Sequence, residues 1–164
     1  MAEKTQLTIT RNVPVRADVD VLVVGGGPAG VAAALAAARQ GKTVYLAEGS
    51  TCFGGMGTAG LVPAFMQFAD GINFLAGGIG QEIYDRMWDA NGAGPDDHRD
   101  SEYKSTAIRA EVLKRIYDEM IVESGISFSF QTQLMSVEMA SSNCVSYAVF
   151  GAKSGMFAIK AKVF

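Results

Sequence analysis

Residues 21–30, VLVVGGGPAG, constrain this chain more than any other stretch. Four apolar residues, three of them β-branched valines, read as a strand buried on both faces, and they stop abruptly at glycines. Gly25, Gly27 and Gly30 follow with Gly-x-Gly-x-x-Gly spacing. The first permits a tight turn out of the strand, the second allows backbone to approach a pyrophosphate, and the third lets a helix pack closely on the sheet. Pro28 suits the first helical turn, where its missing N–H costs nothing. The helix that it opens runs through about Gln40 and is mostly alanine, a strong helix former, with Gly41 as its stop. Unpaired N–H groups and the positive end of the helix dipole would face an anion at this turn. Gly25, Gly26, Gly27, Pro28, Ala29 and Gly30 are therefore candidate dinucleotide contacts.

Residues 43–48, TVYLAE, read as the second strand. Glu48 falls 18 residues beyond Gly30, where a carboxylate can accept hydrogen bonds from ribose hydroxyls. Its charge would repel a 2′-phosphate, which disfavours NADP. A glycine motif alone is weak. Strand, glycines, Ala-rich helix, strand and terminal Glu in register are a strong signal.

The 164 residues are about one domain's length, and 49% hydrophobic with 19% charged residues indicates a globular chain. A net charge of -3 gives no reason to expect nucleic acid or an anionic membrane as partner. Residues 21–38 carry no charge, but GGGPAG divides them into a strand and a helix, each too short to span a bilayer. Residues 1–17 lack a continuous apolar core, so no signal peptide is evident and a soluble, cytoplasmic protein is expected. Cys52 and Cys144, 92 positions apart, make neither a disulfide framework nor a metal cluster.

Residues 49–60, GSTCFGGMGTAG, hold five glycines in twelve positions, and a loop so free of side chains needs a ligand to justify it. Together, VDVLVVGGGPAGVAAALAAARQGKTVYLAE and the GGMGTAGLV that follows resemble the amino-terminal part of the FAD-dependent oxidoreductase family, the glutathione-reductase-like flavoproteins with two dinucleotide-binding domains. The resemblance implies an α/β Rossmann-like FAD/NAD(P)-binding domain, a parallel sheet flanked by helices with an inserted β-hairpin. It implies FAD as cofactor, and hydride or electron transfer with a small organic substrate. It also brings in Gly54, Gly55, Met56, Gly57 and Thr58, which match the family's second glycine-rich loop by the FAD phosphates, ribitol and flavin. Family members often carry a basic residue just after the ribose-binding Glu, where this chain has Gly49.

Residues 1–17 read as a lead-in or edge strand, and 18–164 as a partial FAD-binding domain with a helical excursion over 61–124. Within it, Ile79, Ile83 and Met87 mark an amphipathic helix over 78–91, and a longer stripe from Ile108 to Ile121 marks another over 106–124. Glu111 and Arg115 are spaced as a surface i,i+4 pair. Ile126, Phe128 and Phe130 alternate with serines as a half-covered strand, expected beside the first strand in the 3-2-1 order of a nucleotide-binding half. By the resemblance, Leu134 offers a backbone contact to adenine. Residues 145–163 read as a β-hairpin, and the closing KAKVF matches the start of a core strand whose acidic continuation is absent. The resemblance thus covers only the front of a longer family protein, with substrate domain and catalytic residues beyond Phe164. An uncovered edge at Val163 and Phe164 would favour self-association or a complementary carboxy-terminal chain.

The remaining chemistry-bearing residues have plain readings. Cys52 lacks a nearby partner and reads as an inert buried thiol. His98 and the acids Asp96, Asp97, Asp100 and Glu102 read as a solvated loop, and Trp88 as packing. No catalytic residue and no metal site is assigned. Two other enzyme readings share the strand, glycines and Glu: an NAD-binding dehydrogenase half and a thiazole-synthase-like protein. A non-catalytic nucleotide-binding or assembly fragment is the alternative of a different class.

Overall fold

A computed structural model describes residues 7–68, 70, 72–92 and 106–164. Its main sheet has six strands: β1 Val15–Val24, β2 Val44–Ala47, β5 Ser127–Ser129, β6 Gln133–Ser141, β7 Cys144–Ala152 and β8 Gly155–Val163. The order is β5-β2-β1-β8-β7-β6. The pairs β5–β2, β2–β1 and β1–β8 are parallel, whereas β8–β7 and β7–β6 are antiparallel. Two short strands, β3 Ala64–Phe65 and β4 Thr106–Ala107, pair separately inside the excursion.

Three α-helices, α1 Pro28–Arg39, α2 Ile79–Asp89 and α3 Ala110–Glu123, and one 3-10 turn, Gly55–Gly57, complete the described elements. Helix α1 begins with Pro28 in its first turn and buries Val31, Ala34 and Leu35. It ends at Arg39, and Gly41 then takes φ +75°, which only glycine adopts without strain. The five buried residues of α3, Leu113, Ile116, Tyr117, Met120 and Ile121, lie along the expected stripe. They meet Val31, Leu35, Val44, Leu46 and Phe53 in one apolar cluster on the helical side of the sheet. Burial pushes the Tyr117 phenol up to about 12. A second cluster joins Leu22, Tyr45 and Ala47 to Phe150, Phe157 and Ile159, so the antiparallel strands supply the other side of the core.

Polar contacts align these layers. Arg39 bonds Glu82 at 2.7 Å, and Arg86 bonds both Glu82 and Glu123, at 3.0 and 2.7 Å, which joins α1, α2 and α3. The hydrogen bond from Arg39 holds the Glu82 carboxyl below its ordinary range. On β1, Asp18 and Asp20 pair with Lys160 and Lys162 of β8.

Several expectations are corrected. The third parallel strand, β5, completes the 3-2-1 order but neighbours β2 rather than the first strand. The inserted unit has three antiparallel strands: β6 precedes the expected hairpin of β7 and β8. β8 lies between β1 and β7, with β5 and β6 at the edges of the sheet, but its register with β7 ends at Lys160, so Val163 pairs with β1 alone, and Val163 and Phe164 are exposed as expected. β1 starts inside the expected lead-in, at Val15, because that end pairs with Ala158. Glu111 bonds Lys114 at 2.5 Å, one residue before Arg115, which pairs with Glu119 instead. His98 and the four acids of 96–102 lie outside the described residues.

Candidate functional site

The glycine turn leaves the C-terminal end of β1, and each glycine meets a separate spatial demand. Gly25 has φ +104°, and its N–H donates to the Ala47 carbonyl at 2.7 Å, which ties the turn to β2. A Cβ on Gly30 would lie 1.8 Å from the Gly25 carbonyl oxygen, so the first turn of α1 closes over the loop only because the side chain is absent. A Cβ on Gly26 would strike the Phe53 ring at 2.5 Å. Gly27 differs, since a Cβ there would meet nothing within 4 Å. Its freedom from side chain serves no internal packing, and it borders open space.

That open space adjoins the N-terminus of α1. Gly27 is the N-cap, no side chain caps the helix, and the first turn carries no acid. The free N–H groups of this turn and the dipole's positive end form an anion cradle.

Glu48, one residue past β2, is 8% exposed. Its Oε2 accepts the Gly26 N–H at 2.5 Å, and its Oε1 accepts the Ser50 N–H at 2.5 Å. An ionised carboxylate has about four acceptor sites, so two internal bonds leave others for a ligand.

The second glycine loop packs directly on the first. Gly54 has φ +104°, and its N–H donates to the Gly26 carbonyl at 2.8 Å. A Cβ on Gly55 would approach Gly27 Cα to 3.2 Å. Residues 55–57 form a single 3-10 turn, and Gly57 faces Leu113 and Ile108 beside the start of α3. Met56 is 65% exposed and fills no gap in the core. Thr58 is fully buried, and its hydroxyl donates to the Phe53 carbonyl at 2.6 Å. Its side chain therefore braces the loop internally.

Leu134 stands at the start of β6 opposite Phe150 and is exposed. The preceding residues run along the Glu48 end of β2: Gln131 N–H donates to the Ser50 carbonyl and Thr132 N–H to the Glu48 carbonyl, at 2.8 and 3.0 Å. The candidates thus converge at the C-terminal ends of β1, β2 and β5, where open α/β sheets bind ligands. Two participants escaped sequence reasoning. Phe53, fully buried against Phe128 and Phe130 at ring distances of 5.4 and 4.6 Å, is signalled only by an aromatic residue inside a glycine-rich loop. Gln133, whose amide lies against Gly49, is 84 positions from it in the chain and has no local signal.

Cys52 belongs to the second loop, where its thiol donates to the Thr58 hydroxyl at 3.9 Å, and the remaining chemistry-bearing features lie away from the site. Cys52 and Cys144 are free, half-buried and exposed respectively, so Cys52 is less enclosed than a buried thiol. Trp88 packs against Tyr84 at a ring distance of 6.1 Å. A groove of about 350 Å³ between Ile9, Arg11 and Val13 and the outer face of β6–β8 shares no residue with the glycine loops. Among the described residues there is no group of metal-ligating side chains, and no helix is long and apolar enough to cross a membrane.

Comparison with known proteins agrees with the geometry. Among curated proteins none matches the chain. THI4 of Thermovibrio ammonificans is similar at 21% identity and TM-score 0.60, over 89% of this chain and 56% of that one. A flavocytochrome c3 fumarate reductase in its open conformation gives 21% and 0.60, over 91% and 33%. The 3-ketosteroid-Δ4-(5α)-dehydrogenase of Rhodococcus jostii RHA1 gives 15% and 0.61, over 91% and 45%. At these identities the likeness is one of fold, and the chain spans between a third and little more than half of each structure. The sequence profile described as FAD dependent oxidoreductase matches residues 20–164. The chain belongs to the FAD-dependent oxidoreductase family.

Proposed function

We propose that this chain forms the FAD-binding portion of an oxidoreductase and that residues 25–30, Glu48, residues 54–58 and Leu134 hold the cofactor. The observation that carries the reading is the open side of Gly27 at an uncapped helix N-terminus, within one hydrogen-bonded unit with the buried Glu48. In this reading the free N–H groups of Ala29 and Gly30 face the pyrophosphate, and Glu48 accepts the ribose hydroxyls through acceptor sites that Gly26 and Ser50 leave free. The 54–58 loop, packed through Gly55 on Gly27 and through Gly57 on Leu113, offers backbone to the rest of the cofactor, and Leu134 offers backbone to adenine. Bound flavin supplies hydride or electron transfer with a small organic substrate. The protein's part is binding, orientation and exclusion of water.

The substrate-binding and catalytic residues in this reading belong to a C-terminal portion or a complementary chain, in line with the greater length of the similar structures. A reducing cytoplasm suits its two free cysteines. The test is a visible absorption spectrum of the purified protein after incubation with excess FAD and desalting. Retained flavin bands are expected. A colourless protein, in the longest polypeptide that carries this sequence, would overturn the reading.

A further inference from the structure

Gly49 follows Glu48 at the end of β2, and its backbone is not in the left-handed region that favours glycine. Space explains the residue instead. A Cβ there would lie 2.7 Å from Gln133 Nε2, 3.2 Å from its Cδ and 3.3 Å from its Oε1. The side-chain amide of Gln133 therefore occupies the volume into which any residue at 49 would project. Its position is not accidental to the strand, because the Gln131 and Thr132 backbone bonds to Ser50 and Glu48 align residues 131–133 with 48–50.

We infer that Gln133 is an adenosine-contacting residue, that its carboxamide stands in for a side chain at position 49, and that Gly49 is small in order to seat it. The inference rests on the reading of the site given above. A carboxamide has two donor hydrogens and an oxygen with two acceptor sites, and the bond to the Gly49 carbonyl, 3.5 Å long, engages one donor. Gln133 is exposed, and its amide lies against the residue that follows Glu48, so a second donor and the oxygen remain for a ligand at this end of β2. One acceptor and one donor side by side complement the adjacent acceptor and amino donor on an adenine edge. The amide is also neutral. It leaves the Glu48 charge uncompensated and so sharpens the preference for a free 2′-hydroxyl over a 2′-phosphate.

The experiment compares wild type, Gln133→Ala, Gly49→Arg and the double variant in the purified protein. FAD affinity is read from flavin fluorescence, and the thermal midpoint is read without ligand and with saturating ADP. Gln133→Ala is expected to weaken FAD by about fivefold, the scale of one neutral hydrogen bond, and to shrink the ADP-induced rise in midpoint without moving the ligand-free midpoint. Gly49→Arg is expected to bind less well than the double variant, because removing the amide frees the volume. Unchanged FAD affinity in Gln133→Ala, or a loss of ligand-free stability that accounts for the whole effect, would overturn the inference while leaving FAD at the site. Wild type that takes up neither FAD nor ADP would overturn the site reading, and this inference with it.

Discussion

Gly26 donates its N–H to Glu48 Oε2 at 2.5 Å, so the glycine turn and the carboxylate at the end of β2 form one unit. Glu48 is a structural acceptor for Gly26 and Ser50, and in the proposed site it is also the acceptor for the ligand. The two roles separate by substitution. Glu48→Ala strands the Gly26 and Ser50 N–H groups and is expected to cost about 1 to 3 kcal/mol of folding stability, as well as FAD affinity. Glu48→Gln keeps one acceptor oxygen and is expected to lose less stability while still losing affinity. Urea midpoints and FAD titrations of the two variants check this.

Gly27 and Gly30 have the same residue type and opposite consequences. Gly30→Ala forces a Cβ to within 1.8 Å of the Gly25 carbonyl, so the turn and the start of α1 must separate. A lowered thermal midpoint is expected, on the scale of a core overpacking, about 1 to 3 kcal/mol. Gly27→Val meets open space at its Cβ and is expected to leave the midpoint near that of wild type while abolishing FAD retention. A Gly27→Val protein that still retains FAD after desalting would exclude the turn from the site.

The local parts of this fold were legible because each carries its own periodic or steric signature. The β1 valines, the Ala-rich α1 and the stripe of α3 announce themselves within a few residues. β6 does not. All nine of its residues are exposed, and register shifts against β7 interrupt its alternation, so no buried period exists to be read. The neighbour of β5 was misplaced because strand order depends on packing across the whole sheet. Within the site, the Gly-x-Gly-x-x-Gly spacing and Glu48 were visible directly. The docking of Gly54 on Gly26 and the seating of Gln133 on Gly49 are contacts between distant segments, and only the folded chain displays them.

Phe53 is the apolar keystone beneath the two glycine loops, fully buried and tilted against Phe130 at 4.6 Å. Phe53→Ala is expected to cost about 3 to 5 kcal/mol, the usual range for a buried phenylalanine. Phe53→Leu, which keeps most of the volume, is expected to cost far less. Because the ring lies beside Gly26, FAD affinity should fall with stability in the Ala variant. Denaturant unfolding with and without FAD measures both.

Asp20 gives the fold a defined acid sensitivity away from the ligand site. Its carboxylate accepts from Lys162 Nζ at 2.7 Å, and from the Thr43 N–H and hydroxyl at 2.9 Å each, which links β8, β1 and the start of β2. These donors, Lys162 foremost, hold its carboxyl well below the ordinary carboxylate range. A depressed folded-state value means that the native state prefers the ionised form. The stabilisation is therefore fully present above the unfolded-state value near about 4 and is lost as pH falls below it. Asp20→Asn removes this dependence, so its midpoint should start lower at pH 7 and decline less steeply between pH 4 and 2 than that of wild type. Parallel acid limbs in thermal melts of the two proteins would show that the Lys162 and Thr43 bonds contribute nothing to stability.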